Sequence, residues 1–255
     1  MKHAKRLATR AFRASEAEFL AEGPQAVREA LTVAGATAEV FASAEASDQY
    51  ADLRGVAETA GVPWHVVTDD IIAAITDTVQ PQGLVARCTA VDVTLDALLA
   101  TRPEFLVVCA DIRDPGNAGA VIRCADAAGA DGVVFVGDSV DPFNPKSVRA
   151  TVGSVFHLPI VVDKDIPATL SRLQDAGLQV LAADGGGDLG LYGSELDLTA
   201  PTAWLMGNEA WGLPDEVRGL ADKVVAVPIY GHAESLNLAT AAAVCLYATA
   251  HARNK

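Results

Sequence analysis

The 255-residue sequence is poor in the features that mark membrane, secreted or metal-binding proteins. Its four cysteines are scattered, with no close pair, so no metal or redox spacing is present. No run approaches the roughly 18 apolar residues that a membrane span needs, and polar residues follow the basic N-terminus where a signal peptide would be apolar. We therefore expect a soluble, cytoplasmic protein without metal or membrane partners. Its thiols are expected to be reduced and mostly buried, at Cys88, Cys109, Cys124 and Cys245.

Aromatic residues and positive charge are also scarce. Aromatics make up 5% of the chain and apolar residues 51%, so the core must be built from Ala, Val, Leu and Ile. The 19 basic residues face 33 acidic ones, a net charge of −14, which argues against an extended nucleic-acid surface. The first 13 residues nevertheless carry five basic residues and no acid. Any nucleic-acid contact must therefore be local, and this segment is predicted to be either a frayed, solvated terminus or a binding arm.

Residues 1–91 alternate between strand and helix patterns. Strands are predicted at 18–22, 39–42, 64–67 and 83–89, with helices from Gly23-Pro24 to Gly35, near 48–60 and from residue 69. This pattern predicts a small N-terminal α/β domain. Residues 92–104 are predicted to be a linker, with a helix there as an open alternative.

Residues 105–255 carry continuous apolar runs bounded by turn residues, at 105–109, 132–136, 178–182, 204–206 and 224–227. Runs of this kind are typical of a parallel sheet that is covered on both faces. Helices are predicted between them, at 118–128, 146–152, 166–176, 214–221 and 236–251. The sequence thus predicts a doubly wound α/β domain.

Three corners of this domain, where a strand gives way to a helix, carry conspicuous polar residues. They are Asp114-Pro115-Gly116-Asn117, Met206-Gly207-Asn208-Glu209 and Ser235-Leu236-Asn237. Because open α/β sheets bind ligands at such corners, we expect one composite site. A purely structural alternative is that Asn117 and Ser235 only cap the helices that follow them. Arg123 lies almost two turns into an apolar helix and should have a partner, either a buried acid or a substrate phosphate.

The glycine-rich stretch Asp184-Gly185-Gly186-Gly187-Asp188 does not meet the requirements of a phosphate loop. Neither a helical pattern nor Lys-Ser/Thr follows it, and no G-x-G-x-x-G follows the first strand of either domain. We interpret it as a flexible surface turn. Nucleotide hydrolysis and dinucleotide-dependent oxidoreduction are therefore disfavoured.

Taken in order, the three corners resemble the SpoU (TrmH-like) family of RNA ribose 2′-O-methyltransferases, which belongs to the SPOUT superfamily. The motifs are N-x-G-x-x-x-R from Asn117 to Arg123, G-N-E-x-x-G-L from Gly207 to Leu213, and P-x-x-G-x-x-x-S-L-N from Pro228 to Asn237. The resemblance covers residues 105–255 strongly and residues 1–90 loosely, as a substrate-binding domain.

The resemblance implies a C-terminal trefoil knot, S-adenosylmethionine bound in that knot, and a homodimer with sites near the subunit interface. It assigns cofactor contacts to Met206, Gly207, Asn208, Val227, Ile229 and Leu236. Arg123 would be the catalytic residue, with Asn117, Glu209, Ser235 and Asn237 arranging the ribose, the phosphate and the loops. Our candidates for RNA phosphate contacts are Lys5, Arg6, Arg113, Lys146 and Arg149, although the last two could also lie on an ordinary solvated helix face.

We therefore expect methyl transfer from S-adenosylmethionine to a ribose 2′-hydroxyl in RNA. The separate N-terminal domain favours 23S ribosomal RNA as the substrate; a transfer RNA, or a non-catalytic role in RNA binding and ribosome assembly, are the alternatives. Arginine stays protonated in proteins, so Arg123 is better suited to bind phosphate and stabilise a forming alkoxide than to act as a base.

Overall fold

The computed structural model describes residues 2–255, and they divide into two compact units. The first unit contains residues up to Val91 together with residues 141–157, and the second contains residues 92–140 and 158–255. Among these described residues, no helix combines the length and the apolar character needed to cross a membrane.

The elements of residues 2–91 are α1 (Lys2–Arg6), α2 (Arg10–Glu16), β1 (Glu18–Glu22), α3 (Pro24–Thr32), β2 (Thr37–Ser43), α4 (Ala44–Gln49), α5 (Ala51–Thr59), β3 (Trp64–Val67), α6 (Asp69–Ile75) and β4 (Leu84–Thr89). The elements that follow are α7 (Leu95–Ala100), β5 (Phe105–Ala110), α8 (Pro115–Ala128), β6 (Gly132–Val136), α9 (Pro145–Thr151), β7 (Ile160–Val162), α10 (Ile166–Asp175), β8 (Gln179–Ala183), β9 (Leu189–Gly190), β10 (Thr202–Met206), α11 (Asp215–Arg218), β11 (Lys223–Ala226) and α12 (Leu238–Arg253).

The first unit is built on a sheet with the strand order β1-β4-β2-β3, in which β4 is antiparallel to both of its neighbours. Side chains alternate between the two faces of the sheet. Phe19 and Ala21 of β1 pack with α3 on one face, and Leu20 packs with α1 and α6 on the other. The predicted N-terminal α/β domain is therefore present.

The basic N-terminal segment is folded, so the frayed-terminus alternative is wrong. Ala4 and Leu7 are fully buried. Arg13 is 4% exposed, and its guanidinium pairs with Asp141 at 2.7 Å and donates to the carbonyl oxygen of Leu7 at 2.8 Å. Leu7 and Ala4 are isolated apolar residues in a charged stretch, which is why the sequence pattern did not reveal the two short helices.

The second unit is built on a parallel sheet with the strand order β7-β6-β5-β10-β8-β11-β9. Val107 and Cys109 of β5 face a core that contains α8 and α12, whereas Leu106 and Val108 face a core that contains α7 and α10. Helices on both faces confirm the predicted doubly wound parallel sheet. The trefoil knot stays a prediction.

The division of the chain differs from the expected boundaries in two places. Residues 92–104 are not a free linker: α7 buries Leu95 and Leu98 in the second unit, and the amide of Val93 donates to the carbonyl oxygen of Ile160 at 2.8 Å. Residues 141–157 belong to the first unit, where Phe143 and Phe156 pack against Phe19. Both departures come from contacts distant in sequence, which local patterns do not report.

Candidate active site

A cavity of about 300 Å³ opens in the second unit where its parallel strands end. Its wall contains all six residues that were expected to bind the cofactor, and also Glu209 and Ser235. The lining residues are Ala183, Asp184, Gly185, Met206, Gly207, Asn208, Glu209, Ala210, Gly212, Val227, Ile229, Glu234, Ser235, Leu236, Leu238 and Ala241.

The first corner is capped by Asp114, not by Asn117 as the structural alternative supposed. An Asp114 carboxylate oxygen accepts a hydrogen bond from the amide of Asn117 at 2.8 Å, and Pro115 occupies the first helical position, where it needs no hydrogen-bond acceptor. The side chain of Asn117 is therefore free for other contacts. It donates to Glu209 Oε1 at 3.2 Å and accepts from Asn237 Nδ2 at 3.1 Å.

The second corner is a closed loop from Asn208 to Gly212. The amides and carbonyls of these two residues bond to each other at 3.0 and 2.9 Å, and Nδ2 of the buried Asn208 donates to the carbonyl of Asp111 at 2.6 Å. Gly207 is required here because a Cβ at that position would lie 2.5 Å from the carbonyl carbon of Gly212. The loop is therefore rigid and tightly folded.

Glu209, at the outer end of this loop, binds back to the first corner. Its carboxylate accepts from the amides of Arg113 at 3.2 Å and Asp114 at 3.0 Å, besides the side chain of Asn117. Partial burial opposes ionisation of Glu209, but these hydrogen bonds outweigh it and lower its pKa. Glu209 is therefore an anion at neutral pH and holds the loops together, which makes it a poor proton acceptor.

The third corner is capped by Asn237. Its Oδ1 accepts from the amides of Ala239 at 2.9 Å and Thr240 at 3.4 Å at the start of α12. Ser235 is exposed on the cavity wall and is not the cap. Because Asn237 uses its oxygen for the cap, its amino group can donate to Asn117, and the three corners are joined by one chain of hydrogen bonds from Asn237 through Asn117 to Glu209.

The cavity wall combines an apolar side with negative charge. Met206, Leu236 and Leu238 supply apolar surface, whereas carboxylates come from the acidic residues Asp184, Glu209 and Glu234. Among the lining residues in the described part of the chain there is no Lys, Arg or His. Such a wall suits a ligand with an apolar body and a positive charge, and it is a poor place for a phosphate.

The sequence interpretation missed Asp184 and Gly185. The stretch that we interpreted as a surface turn follows the carboxyl end of β8, and its first two residues line the cavity. The Asp184 carboxylate accepts from the amide of Gly186 at 2.8 Å and lies 3.7 Å from Arg218. The available signal was position, since Asp184 follows a buried strand of the same parallel sheet.

Arg123 does not line the cavity of its own chain. It lies six residues beyond Asn117 on α8, which rotates it about 240° around the helix axis. Its side chain is exposed, and its guanidinium forms no hydrogen bond or ion pair within residues 2–255. A buried acid, one of the two expected partners of Arg123, is therefore not found among residues 2–255.

The residues expected to contact RNA phosphates differ in their exposure to solvent and in their interactions. Arg149 is half-buried and pairs with Glu22 at 2.9 Å, so neither a free phosphate contact nor an ordinary solvated face describes it. Lys146 is exposed on α9, and Arg113 is 54% exposed and lies 3.7 Å from Asp138. Lys5 is exposed, and Arg6 is stacked on Phe12, 3.9 Å from the ring centroid.

Among the described residues that line the cavity there is no cysteine. Cys88, Cys109 and Cys245 are buried, and burial raises the pKa of each thiol, to about 12 for Cys88 and Cys245. Cys124 is half-buried, and burial raises its pKa as well. The described residues contain no group of three or more His, Cys, Asp or Glu arranged to hold a metal ion.

Family models match nearly the whole chain. The SpoU rRNA Methylase family matches residues 104–247, and an MRM3-like substrate binding domain matches residues 1–86. The chain therefore belongs to the SpoU rRNA methylase family of RNA ribose 2′-O-methyltransferases, which confirms the resemblance carried by the three corners.

Individual relatives agree with this assignment. The 23S rRNA (guanosine(2553)-2′-O)-methyltransferase RlmP of Bacillus subtilis is 34% identical over 252 residues, which are 95% of this chain and 92% of that protein. The SpoU methyltransferase AviRb from Streptomyces viridochromogenes, solved with AdoMet, has a TM-score of 0.86 at 30% identity and covers 99% of this chain and 98% of its own. An AdoMet-bound rRNA methyltransferase from Sinorhizobium meliloti has a TM-score of 0.84 at 32% identity, covering 97% and 92%.

Proposed function

We propose that this protein transfers the methyl group of S-adenosylmethionine to a ribose 2′-hydroxyl in RNA, with 23S ribosomal RNA as the substrate. The observation that carries the proposal is the hydrogen-bond chain from Asn237 through Asn117 to Glu209 at the edge of the acidic, partly apolar cavity. Such a chain brings a methyl donor and a polar acceptor site together, and holding two reactants in place can supply about 7–11 kcal/mol of a reaction barrier.

The residues of the cavity fit S-adenosylmethionine. When bound, this cofactor supplies a methyl group made electrophilic by a sulfonium. Leu236, Leu238 and Val227 offer apolar surface for its flat base, and Asp184 and Glu234 are carboxylates suited to its positive groups. Gly207 allows the loop backbone to be exposed to the cavity, where its polar groups can bind the cofactor.

In the proposed mechanism the hydrogen-bond chain from Asn237 through Asn117 to Glu209 orients the ribose. Asn117 uses both its side-chain oxygen and its amino group in the hydrogen-bond chain, and Asn237 uses its amino group. Each of the two amino groups keeps a second N–H that can donate to a ribose oxygen. Glu209 fixes both loops and stays ionised. Ser235 lies on the cavity wall and offers a hydroxyl as donor or acceptor. Glu209 has a lowered pKa and arginine stays protonated, so neither is a strong base, and we assign most of the catalysis to positioning, with the hydroxyl proton released to solvent water.

We further propose that Arg123 acts on the site of a second copy of the chain in a homodimer. Along α8, Ala120, Arg123, Cys124 and Ala127 form a partly exposed stripe. The neighbouring α12 adds Val244 and Tyr247, the latter 54% exposed, and the two helices pack on each other. Pairing of this surface with a second copy would carry the protonated guanidinium of Arg123 to the partner's ribose site, where it could bind phosphate and stabilise the forming alkoxide.

Coverage of the relatives favours a ribosomal substrate over a transfer RNA. Two structures of an rRNA methyltransferase from Sinorhizobium meliloti each cover 97% of this chain. A structure that concerns 2-OH methylation of C/U34 on tRNA covers 60% of this chain but 97% of its own, with a TM-score of 0.54. The additional substrate-binding unit of this chain is thus a feature it shares with the rRNA enzymes. A ribosomal RNA substrate also implies that the protein acts in the cytoplasm.

RNA binding to so acidic a protein needs local positive charge. The folded α1–α2 segment supplies Lys2, Lys5, Arg6 and Arg10, and the second unit supplies Arg113 beside the first corner. These residues are our candidates for phosphate contacts. A few contacts of this kind predict affinity that falls steeply with salt, by a logarithmic slope of about 0.7–0.9 per phosphate neutralised.

The proposal is tested with purified protein, radiolabelled S-adenosylmethionine and protein-free 23S or transfer RNA. We expect transfer to 23S RNA, and mapping of 2′-O-methyl groups with and without the gene should find one ribosomal position that depends on it. Methylation of a transfer RNA alone would correct the substrate. Failure of calorimetry to detect S-adenosylmethionine binding would instead favour the non-catalytic RNA-binding alternative.

A further inference from the structure

The three tryptophans of this chain differ in their exposure to solvent. Trp204 is fully buried, with its indole N–H donating to Thr249 at 2.8 Å. Trp64 is partly buried and donates to Ser47 at 3.1 Å. Trp211 is 57% exposed. In a protein with only 5% aromatic residues, so large an aromatic surface left in solvent is a departure from the usual place of tryptophan.

The backbone that carries Trp211 is held from several sides. Asn208 and Gly212 bond to each other on either side of it, and the amide of Ala210 donates to Asn208 Oδ1 at 2.8 Å. Glu209 ties the same loop to the first corner through three hydrogen bonds. These hydrogen bonds fix the backbone of the loop. The Trp211 side chain has only two rotatable bonds, so holding the indole against a ligand costs little conformational entropy.

The position of Trp211 is next to the proposed ribose site. Its chain neighbours Ala210 and Gly212 both line the cavity, and Glu209, two residues earlier, ends the hydrogen-bond chain that orients the ribose. If the ribose of a nucleotide binds at these hydrogen-bonded side chains, its base lies one glycosidic bond away from the ribose. The indole offers a flat, apolar face at this point of the loop, which suits a base better than a phosphate.

From this placement, and resting on the proposed function, we propose that Trp211 stacks on the base of the nucleotide that is methylated. Proteins recognise unpaired RNA bases by stacking them on aromatic side chains, and each stacked base contributes about 5- to 150-fold in affinity. Every base has a flat face, so stacking by itself accepts any of them. Trp211 would hold the nucleotide out of its neighbours' stack so that its 2′-hydroxyl faces the cavity.

The test compares the full-length protein with Trp211→Ala, Trp211→Phe and, as a matched control, Tyr192→Ala. Tyr192 is 65% exposed, and neither it nor its neighbours line the cavity. With RNA carrying the methylated position, Trp211→Ala should raise KM about tenfold or more and change kcat less than about threefold. Trp211→Phe should keep most of the affinity, and Tyr192→Ala should match the wild type.

A second measurement locates the contact. The same RNA is made with an abasic ribose at the methylated position and its KM is measured for the wild type and Trp211→Ala. If the indole stacks on that base, the abasic RNA should weaken the wild type and Trp211→Ala should weaken it no further. Full additivity of the two losses, or an unchanged KM in Trp211→Ala, would overturn the proposal.

Calorimetry with S-adenosylmethionine separates the remaining explanations. Equal cofactor affinity in the wild type and Trp211→Ala supports an RNA contact, whereas a tenfold loss would mean that the indole covers the cofactor and the proposal is wrong. Failure of the proposed function would be seen differently, as a wild-type protein that neither binds the cofactor nor transfers methyl groups.

Discussion

Replacing Glu209 by Gln should loosen the active-site loops while leaving the fold intact. Both carboxylate oxygens of Glu209 accept hydrogen bonds, one from the amide of Arg113 and the other from the amide of Asp114 and the side chain of Asn117. A Gln side chain can offer only one oxygen, so its amino group would face a donor. Hydrogen bonds to a charged group contribute about 1.5–3 kcal/mol each when buried, but Glu209 is largely exposed, so we expect a loss of about 1–2 kcal/mol in unfolding free energy.

The effect on catalysis should be larger than this. A displacement of the loop by about 1 Å can reduce a rate about 100-fold, and Glu209 fixes the loops that hold Asn117. We therefore expect kcat/KM of Glu209→Gln to fall about 10- to 100-fold in a methyl-transfer assay with radiolabelled cofactor. Glu216→Gln removes the same charge from exposed α11 at a residue that does not line the cavity, and it should retain activity. Equal activities of the two variants would refute the positional role of Glu209.

The stability difference has a defined pH dependence. The pKa of Glu209 is lowered below its ordinary value of 4.5 in the folded protein, so its contribution to stability is fully present above that value. It should be lost as the pH falls through the folded pKa. The difference in unfolding free energy between the wild type and Glu209→Gln should therefore be greatest at neutral pH and shrink in acid, as measured by urea denaturation at several pH values. A difference that grows in acid would contradict the hydrogen-bond geometry.

The remaining predictions concern the subunit pairing, the tight loop and the thiols. Mixing inactive Arg123→Ala and Asn237→Ala subunits should restore about a quarter of the wild-type activity, because half of the dimers are mixed and each has one intact site; no recovery would mean that Arg123 does not act across subunits. Gly207→Ala should weaken cofactor binding at least tenfold by calorimetry, since the added carbon would lie 2.5 Å from the backbone of Gly212, and normal binding would show that the loop can shift. In the native protein at pH 8 a thiol reagent should modify at most Cys124, and only denaturant should expose the rest; fast labelling of more than one thiol per chain would contradict the observed burial of Cys88, Cys109 and Cys245.

The buried strands of the second unit were predictable because their signal is local. A continuous apolar run such as residues 105–109, bounded by turn residues, is typical of a strand covered on both faces, and the structure has β5 there with every residue buried. The short strand Ile160–Val162 was not predicted, since three apolar residues next to a proline do not stand out from a loop.

The candidate site was predictable as a set of corners but not as a hydrogen-bond network. The motifs identified Asn117, Glu209 and Asn237, yet the cap of α8 went to Asp114, because Pro115 fixes the helix start one residue later. Which side chains meet depends on strand order, and β10 lies between β5 and β8 although they are distant in sequence. The same strand order brings Asp184 to the cavity, and the only sequence signal for it is its position directly after the buried strand β8.

Residues 141–157 determine when the N-terminal unit can complete its folding during synthesis. Phe143, Val148 and Phe156 complete the core of the N-terminal unit, and Asp141 neutralises its buried Arg13. During synthesis on the ribosome, the hydrophobic core of that unit stays incomplete and partly exposed until a further 66 residues beyond Val91 have been added. A gene fragment that ends at the apparent domain boundary would encode a protein with a permanent hole in its interior and an unneutralised arginine.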